Sequence, residues 1–238
     1  IFVFISITPA FSFSFNNSVG AAFESDEVIV NVADNCSNLA ITNTELLSIV
    51  KDSLDQYWNT VSTSKLVLKL GSLSTMSSVF LTDIICTVSG ENCIPNTDLT
   101  VASGILISCN TNLAGNFSNS SSIQAVTLPN NIVNSTLTGS LLLINDHVSN
   151  TFQNKSRGQM VSIIAHELGH AIGLGHSPVE DSLMYFTLVP VRDRLGFDDI
   201  DGVTYLYPKS QPISCGTIKN INNNGSDNMT LASVFFLL

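Results

Sequence analysis

Three of the chain's four histidines, His166, His170 and His176, fall within the eleven-residue stretch HELGHAIGLGH. On a helix, residues four apart project from the same face one turn apart. His166 and His170 can therefore offer imidazole nitrogens to one ion, at about 2.0–2.1 Å each for Zn2+. Gly173 comes three residues after His170, where a helix that stops calls for a residue tolerant of positive φ. The chain can then swing back and present His176 as a third ligand. Three protein ligands leave the fourth position to water, which is the catalytic form of zinc site. Glu167 is rotated away from the line of the two histidines, placing it near that water as a candidate general base. An apolar helix with incidental polar residues would not explain why glutamate and glycine both fall at these spacings.

The elements that must hold this stretch follow a readable order. DEVIVNV (residues 26–32) alternates apolar and polar residues as a half-buried strand does. NTELLSIVKDSLDQYWNTV (residues 43–61) puts Leu47, Val50, Leu54 and Tyr57 on one helical face, with Thr44 as its N-cap. Strand-like runs follow at KLVLKL (65–70), VFLTDII (79–85), GILIS (104–108), IQAVTL (123–128) and GSLLLIN (139–145). The active-site helix starts near Ser156, and a short last helix lies in FDDIDGVTYLY (197–207), ended by Pro208. This order predicts a single α+β domain over residues 20–210.

Bulk composition narrows the function. Charged residues make up 12% of the chain, hydrophobic residues 44%, and the net charge is −10. No basic stripe exists to neutralise phosphates, which argues against nucleic acid or an anionic membrane surface as partner. Residues 1–12 read as the apolar part of a secretory leader, with TPA as a cleavage site, or alternatively as a buried first strand. Residues 211–238 pass from a polar spacer into an apolar run too short to span a bilayer. That run reads as part of an anchor or sorting segment, or as a strand that caps the core. Five cysteines (Cys36, Cys86, Cys93, Cys109 and Cys215) include no CxxC pair, so one or two disulfides are expected in an exported protein. Cys86 and Cys93 can close a small loop, and the remaining connectivity is open.

HELGHAIGLGHS resembles the zinc-binding signature of the metzincin metallopeptidases, and most closely that of the matrixins. The resemblance continues through SLMY, where Met184 stands eight residues after His176, and through GFDDIDGVTYLYP. It implies a zincin-like fold: a twisted, mixed five-stranded sheet with an active-site helix, a backing helix and a short C-terminal helix. It further implies that Met184 lies beneath the metal, and that Asp198 and Asp199 tie the last helix to the Met-turn and the N-terminal region. An extended substrate would lie antiparallel to an edge strand, for which IQAVTLP is the candidate. The pocket behind the zinc would be walled by Tyr185, Leu188, Val189 and Leu195, apolar residues offset by Arg192 and Arg194. Matrixins commonly hold a second, structural zinc through several upstream histidines; here only His147 is upstream, so that site is not expected. Structural calcium is a family feature that neither Asp83 nor Asp146 can be assigned to from sequence.

The reading that results is a secreted or surface zinc endopeptidase acting on protein or peptide substrates, with one catalytic Zn2+ and an unspecified oligomeric state. The rivals are a non-catalytic binding or adhesion module on the same scaffold and a zinc hydrolase of a non-peptide amide. Glu167 counts against the binding module, which needs no base beside its metal.

Overall fold

A computed structural model describes residues 13–88, 93–186 and 191–209. In chain order the elements are β1 (Ala22–Phe23), β2 (Glu27–Ala33), α1 (Asn43–Gln56), β3 (Val67–Ser74), α2 (Val79–Thr82), β4 (Cys86–Val88) and β5 (Ile94–Pro95). They continue with β6 (Gly104–Asn110), α3 (Leu113–Asn116), β7 (Ala125–Val133), β8 (Thr136–Asn145), α4 (Arg157–Ala171) and α5 (Phe197–Leu206). Strands β3, β2, β6 and β8 lie side by side and parallel, and β7 returns antiparallel along the outer side of β8. The α+β architecture with a mixed sheet is the one expected. Five long strands carry it, and the two-residue β1 adds a sixth, pairing with Thr136 and Leu137 at the start of β8.

The sheet is buried on both faces at its centre. Ile105, Ile107 and Cys109 of β6, with Leu142 and Ile144 of β8, join the main core beneath α1 and α4. Their neighbours Leu106, Leu141 and Leu143 point the other way and pack with Phe80, Ile85, Leu99 and Phe117 from the loops covering the opposite face. That two-sided burial is why GILIS and SLLLIN read as continuous apolar runs rather than alternating ones. Helix α1 is fastened to α4 through Ser53, whose hydroxyl lies 2.9 Å from the carbonyls of both Ile49 and Val161.

Three local expectations change. The N-cap of α1 is Thr42, not Thr44: its extended backbone lets the hydroxyl accept from Glu45 N at 3.1 Å. The buried face of α1 is accordingly Leu46, Ile49, Val50, Ser53 and Leu54, with Leu47 only half-buried, and the helix stops at Gln56 before a short 3-10 turn. Residues 79–85 are not a strand; α2 occupies Val79–Thr82 and turns Phe80 inward. The reason is competition from a residue distant in sequence, since the Asn110 side chain takes the carbonyls of Phe80 and Asp83 that a strand would use for pairing.

Among the described residues two disulfides form. Cys86–Cys93 closes the β4–β5 hairpin, and Cys36–Cys109 ties the loop after β2 to the buried strand β6. Cys215 and the segments 1–12 and 211–238 lie outside the described residues, as do the readings made on them. Among the described residues, no helix is long and apolar enough to cross a membrane.

The bridges close loops of very different length, with sequence separations of 73 and 7. On a chain-entropy account, removing the long one should cost about 4 kcal/mol and the short one about 2.5 kcal/mol. Urea unfolding of Cys36→Ala/Cys109→Ala and Cys86→Ala/Cys93→Ala should therefore show the first pair the more damaged; equal losses would contradict that account.

Candidate metal centre

Helix α4 is launched by a capping box, in which Ser156 Oγ accepts from Gln159 N and Gln159 Oε1 accepts from Ser156 N. From there the helix carries His166 and His170 to its last turns. The Nδ1 of His166 lies 2.7 Å from the carbonyl of Leu183, and that of His170 lies 2.8 Å from the carbonyl of Leu174. A carbonyl can only accept, so both Nδ1 atoms carry the proton and both Nε2 lone pairs stay available. The ring of His176 meets them from the returning loop. Its Nε2 stands 3.2 Å from that of His170, and the ligand nitrogens of the three histidines lie within 4.8 Å of one another. Two nitrogens on one tetrahedral Zn2+ would be about 3.4 Å apart. The donor set and its spacing fit that ion. Burial, and next the neighbouring His166, hold His170 well below the usual imidazole range and lower His176 as well. Both shifts favour the neutral form, the one that ligates.

The return of the chain is built at the C-terminus of α4. Gly173 adopts φ 110°, its N–H donates to His170 O at 3.1 Å, and Leu174 N donates to Gly169 O at 2.9 Å. This is the Schellman pattern, which closes the helix and reverses the backbone within two residues. Residues 14–16 then brace the loop. Ser14 Oγ donates to His176 O at 2.7 Å, Asn16 N to Gly173 O at 2.8 Å, and Gly175 N to Ser14 O at 2.7 Å. Sequence reasoning began the domain at residue 20 and did not include this brace.

Met184, 2% exposed, packs against Gly169 of α4, the residue before His170. Its turn is held by Asp199, whose carboxylate accepts from Leu183 N at 2.6 Å, Met184 N at 3.1 Å and Gly196 N at 2.7 Å, and from the Ser182 hydroxyl. Leu183 is the residue whose carbonyl holds His166, so Asp199 fixes a ligand at second hand. Burial pushes the Asp199 carboxyl up, against the pull of these four donors. Asp198 is buried in the same first turn of α5. Gly169 makes room for the methionine, since a Cβ there would come within 2.3 Å of Met184 Sδ and 2.7 Å of Trp58 Cζ2.

Glu167 is half-buried at the cleft, and its Oε2 accepts from Thr127 Oγ1 of β7 at 2.7 Å. Burial raises its carboxyl; His166 and the Thr127 bond oppose the rise. Thr127, Gly169 and Ser182 were not singled out from sequence. Only the glycine inside HELGH carried a signal; Thr127 meets Glu167 from 40 positions away. The strand β7 is the sheet edge, as IQAVTLP was read, and Ala125, Val126 and Thr127 line a cavity of about 490 Å³ with Glu167, His170 and His176.

Glu167 also borders a second cavity, of about 480 Å³, walled by Gln124, Ile163, Leu183, Tyr185, Phe186 and Arg192, among others. Tyr185 is thus placed as expected. Leu195 is not part of that wall; it is buried in the main core, at the position before the Gly196 N-cap where an apolar residue turns inward as a helix starts. Leu188 and Val189 lie outside the described residues. Arg192 is pinned through its backbone, its carbonyl accepting from the Tyr57 hydroxyl and its N–H donating to Ser162 Oγ at 3.3 Å. Arg194 is exposed. Of the other acids, Asp146 is buried and its carboxylate accepts from Ser37 N and Asn38 N. Asp83 bonds through its carbonyl to Asn110 and Asn116. His147 sits in the loop after β8, its Nδ1 accepting from Ser149 N.

A family model described as Matrixin matches residues 54–208. Metalloendoproteinase 2-MMP of Arabidopsis thaliana is 46% identical over 48 residues, 19% of this chain and 13% of that protein. Stromelysin-2 of Rattus norvegicus is 43% identical over 60 residues (24% of this chain, 12% of that protein), and interstitial collagenase of Sus scrofa is 43% identical over 53 residues (21% and 11%). The matched stretch is thus a small part of each relative's length.

Filling the space above Met184 should loosen the centre. Gly169→Ala is expected to cost about 1–3 kcal/mol through overpacking and to weaken zinc binding in competition with a chromophoric chelator. Gly158→Ala, on the same helix with open space around it, should leave both unchanged or raise stability by up to about 1 kcal/mol. If the two variants behave alike, the methionine contact does not support the site.

Proposed function

Because the chain belongs to the matrixin family, we propose that it is a zinc-dependent endopeptidase that works outside the cell, with a catalytic domain over about residues 20–210. The carrying observation is the convergence of three imidazoles with Glu167 next in the chain to the first of them, at the edge of a cleft. His166, His170 and His176 are the proposed ligands, supported by the Gly173 turn, by Met184 beneath and by Asp198 and Asp199 in α5. Zn2+ in that position supplies positive charge that acidifies water and polarises a carbonyl. Calcium is left unassigned. Export is supported by the two disulfides, which persist in oxidising compartments.

The chain's own residues divide the remaining work. The outer side of β7 offers backbone groups to an extended peptide, which pairs with it regardless of most side chains. One substrate side chain enters the 480 Å³ cavity, whose wall of Ile163, Leu183 and Tyr185 is apolar. Glu167 takes a proton from the attacking water and delivers it to the leaving amine. Thr127 holds one carboxylate oxygen of Glu167, so the other is left to do this.

Cleavage of a mixed peptide library, run with and without a chelator, tests the reaction; activity that survives complete metal removal would refute it. Glu167→Gln should keep stoichiometric zinc while turnover falls by roughly a hundred- to ten-thousand-fold. Thr127→Val should lower kcat by roughly tenfold, the loss of one hydrogen bond to a charged group, with KM unchanged, and Thr127→Ser should restore it. A fall in KM-dependent binding alone would assign Thr127 to substrate contact instead.

A further inference from the structure

Six asparagines among the described residues head an Asn-x-Ser/Thr triplet in which x is not proline: Asn16, Asn35, Asn116, Asn119, Asn134 and Asn154. In an exported chain such a triplet is an acceptor for N-linked carbohydrate. The fold divides the six cleanly by the task of the side-chain amide.

In three of them the amide nitrogen is committed. Asn16 Nδ2 donates to His170 O beside the metal centre. Asn35 Nδ2 donates to Ser108 Oγ and Cys109 O, while its Oδ1 accepts from Cys109 N. Asn116 is 8% exposed; its Nδ2 donates to Asp83 O and Asn110 Oδ1, and its Oδ1 accepts from Ile85 N. Each amide is a structural tie between segments distant in sequence, and a glycan on it would break that tie.

The other three are exposed, and among the described residues their side chains make no hydrogen bond. Asn119 lies in the loop before β7 with φ 55°. Asn134, with φ 50°, opens the two-residue turn that joins β7 to β8, flanked by the paired residues Val133 and Thr136. Asn154 ends the short 3-10 turn ahead of α4. Positive φ accounts for asparagine at 119 and 134, but it does not call for Ser121 or Thr136 two residues on. Ser156 has its own task as the N-cap of α4.

We infer that Asn119, Asn134 and Asn154 carry N-linked glycans, and that Asn16, Asn35 and Asn116 do not. The inference rests on the export proposed above. At each site, Nδ2 forms a bond to the anomeric carbon of an oligosaccharide carried on a lipid pyrophosphate. The lipid pyrophosphate leaves with the bonding electrons, and one amide proton is released. Asn119 and Asn134 bracket β7, so the sugars stand at either end of the strand that borders the cleft. Asn224 and Asn228 head further triplets outside the described residues and form no part of the inference.

The test uses the full chain, secreted from cultured mammalian cells behind a supplied leader. Purified material is treated with peptide N-glycosidase in heavy-oxygen water and mapped by peptide mass spectrometry, with the Cys36–Cys109 bridge followed in the same map as the mark of native folding. Label is expected at Asn119, Asn134 and Asn154 and at none of the other three. Its absence from any of the first set, or its presence on Asn16, Asn35 or Asn116 in bridged material, overturns the inference. Thr136→Ala removes one triplet without touching its asparagine and should erase the label at Asn134 alone; label that persists there would be deamidation, not sugar, and would count against the site. Because the leader supplies the route, the outcome judges the sites themselves, while export of the native chain is judged by following it in its own cells.

Discussion

Two carbonyl oxygens decide which way the imidazoles of α4 face. Leu183 O and Leu174 O each take the Nδ1 proton of a histidine, and in doing so fix tautomer and ring plane together. Without them each ring could turn over and present a proton where a lone pair is needed. Both carbonyls belong to irregular backbone rather than to helix or strand. The fold must therefore hold two loops as firmly as it holds its sheet. Asp199 does this for one loop through four donors, and the Schellman turn at Gly173, braced by residues 14–16, does it for the other.

The sheet makes a different contribution. Its parallel centre, buried on both faces, gives α4 a rigid floor, and its antiparallel edge β7 runs past the end of that helix. Thr127 is where floor and helix chemistry meet, because an edge strand can turn a hydroxyl toward the site while its outer backbone remains unpaired with any other strand of the sheet. The same strand thus borders the cleft and steadies Glu167. The two disulfides act away from this point, on a loop that reaches the buried end of β6 and on the hairpin over the opposite face.

What was readable in advance was what depends on short spacing. His166 and His170 one turn apart, the glycine that ends the helix and the helix start near Ser156 are consequences of helix geometry, and the structure places them accordingly. Readings failed where a distant partner overrode the local pattern. VFLTDII has strand composition, yet the amide of Asn110 claims its carbonyls and a helical turn results. Leu195 looked like pocket wall because it follows the Met-turn, but the start of α5 turns it into the core. Thr127 and the brace at residues 14–16 act on the site from 40 and more than 150 positions away, and no periodicity carries such information.

Trp58, the only tryptophan of the chain, donates its indole N–H to Ala165 O at 2.8 Å and lies against Gly169 of α4. The molecule accordingly contains one indole fluorophore, lodged in the layer between the backing helix and the reactive one. Its emission is an intrinsic optical gauge of how tightly that layer is closed, readable without any attached dye.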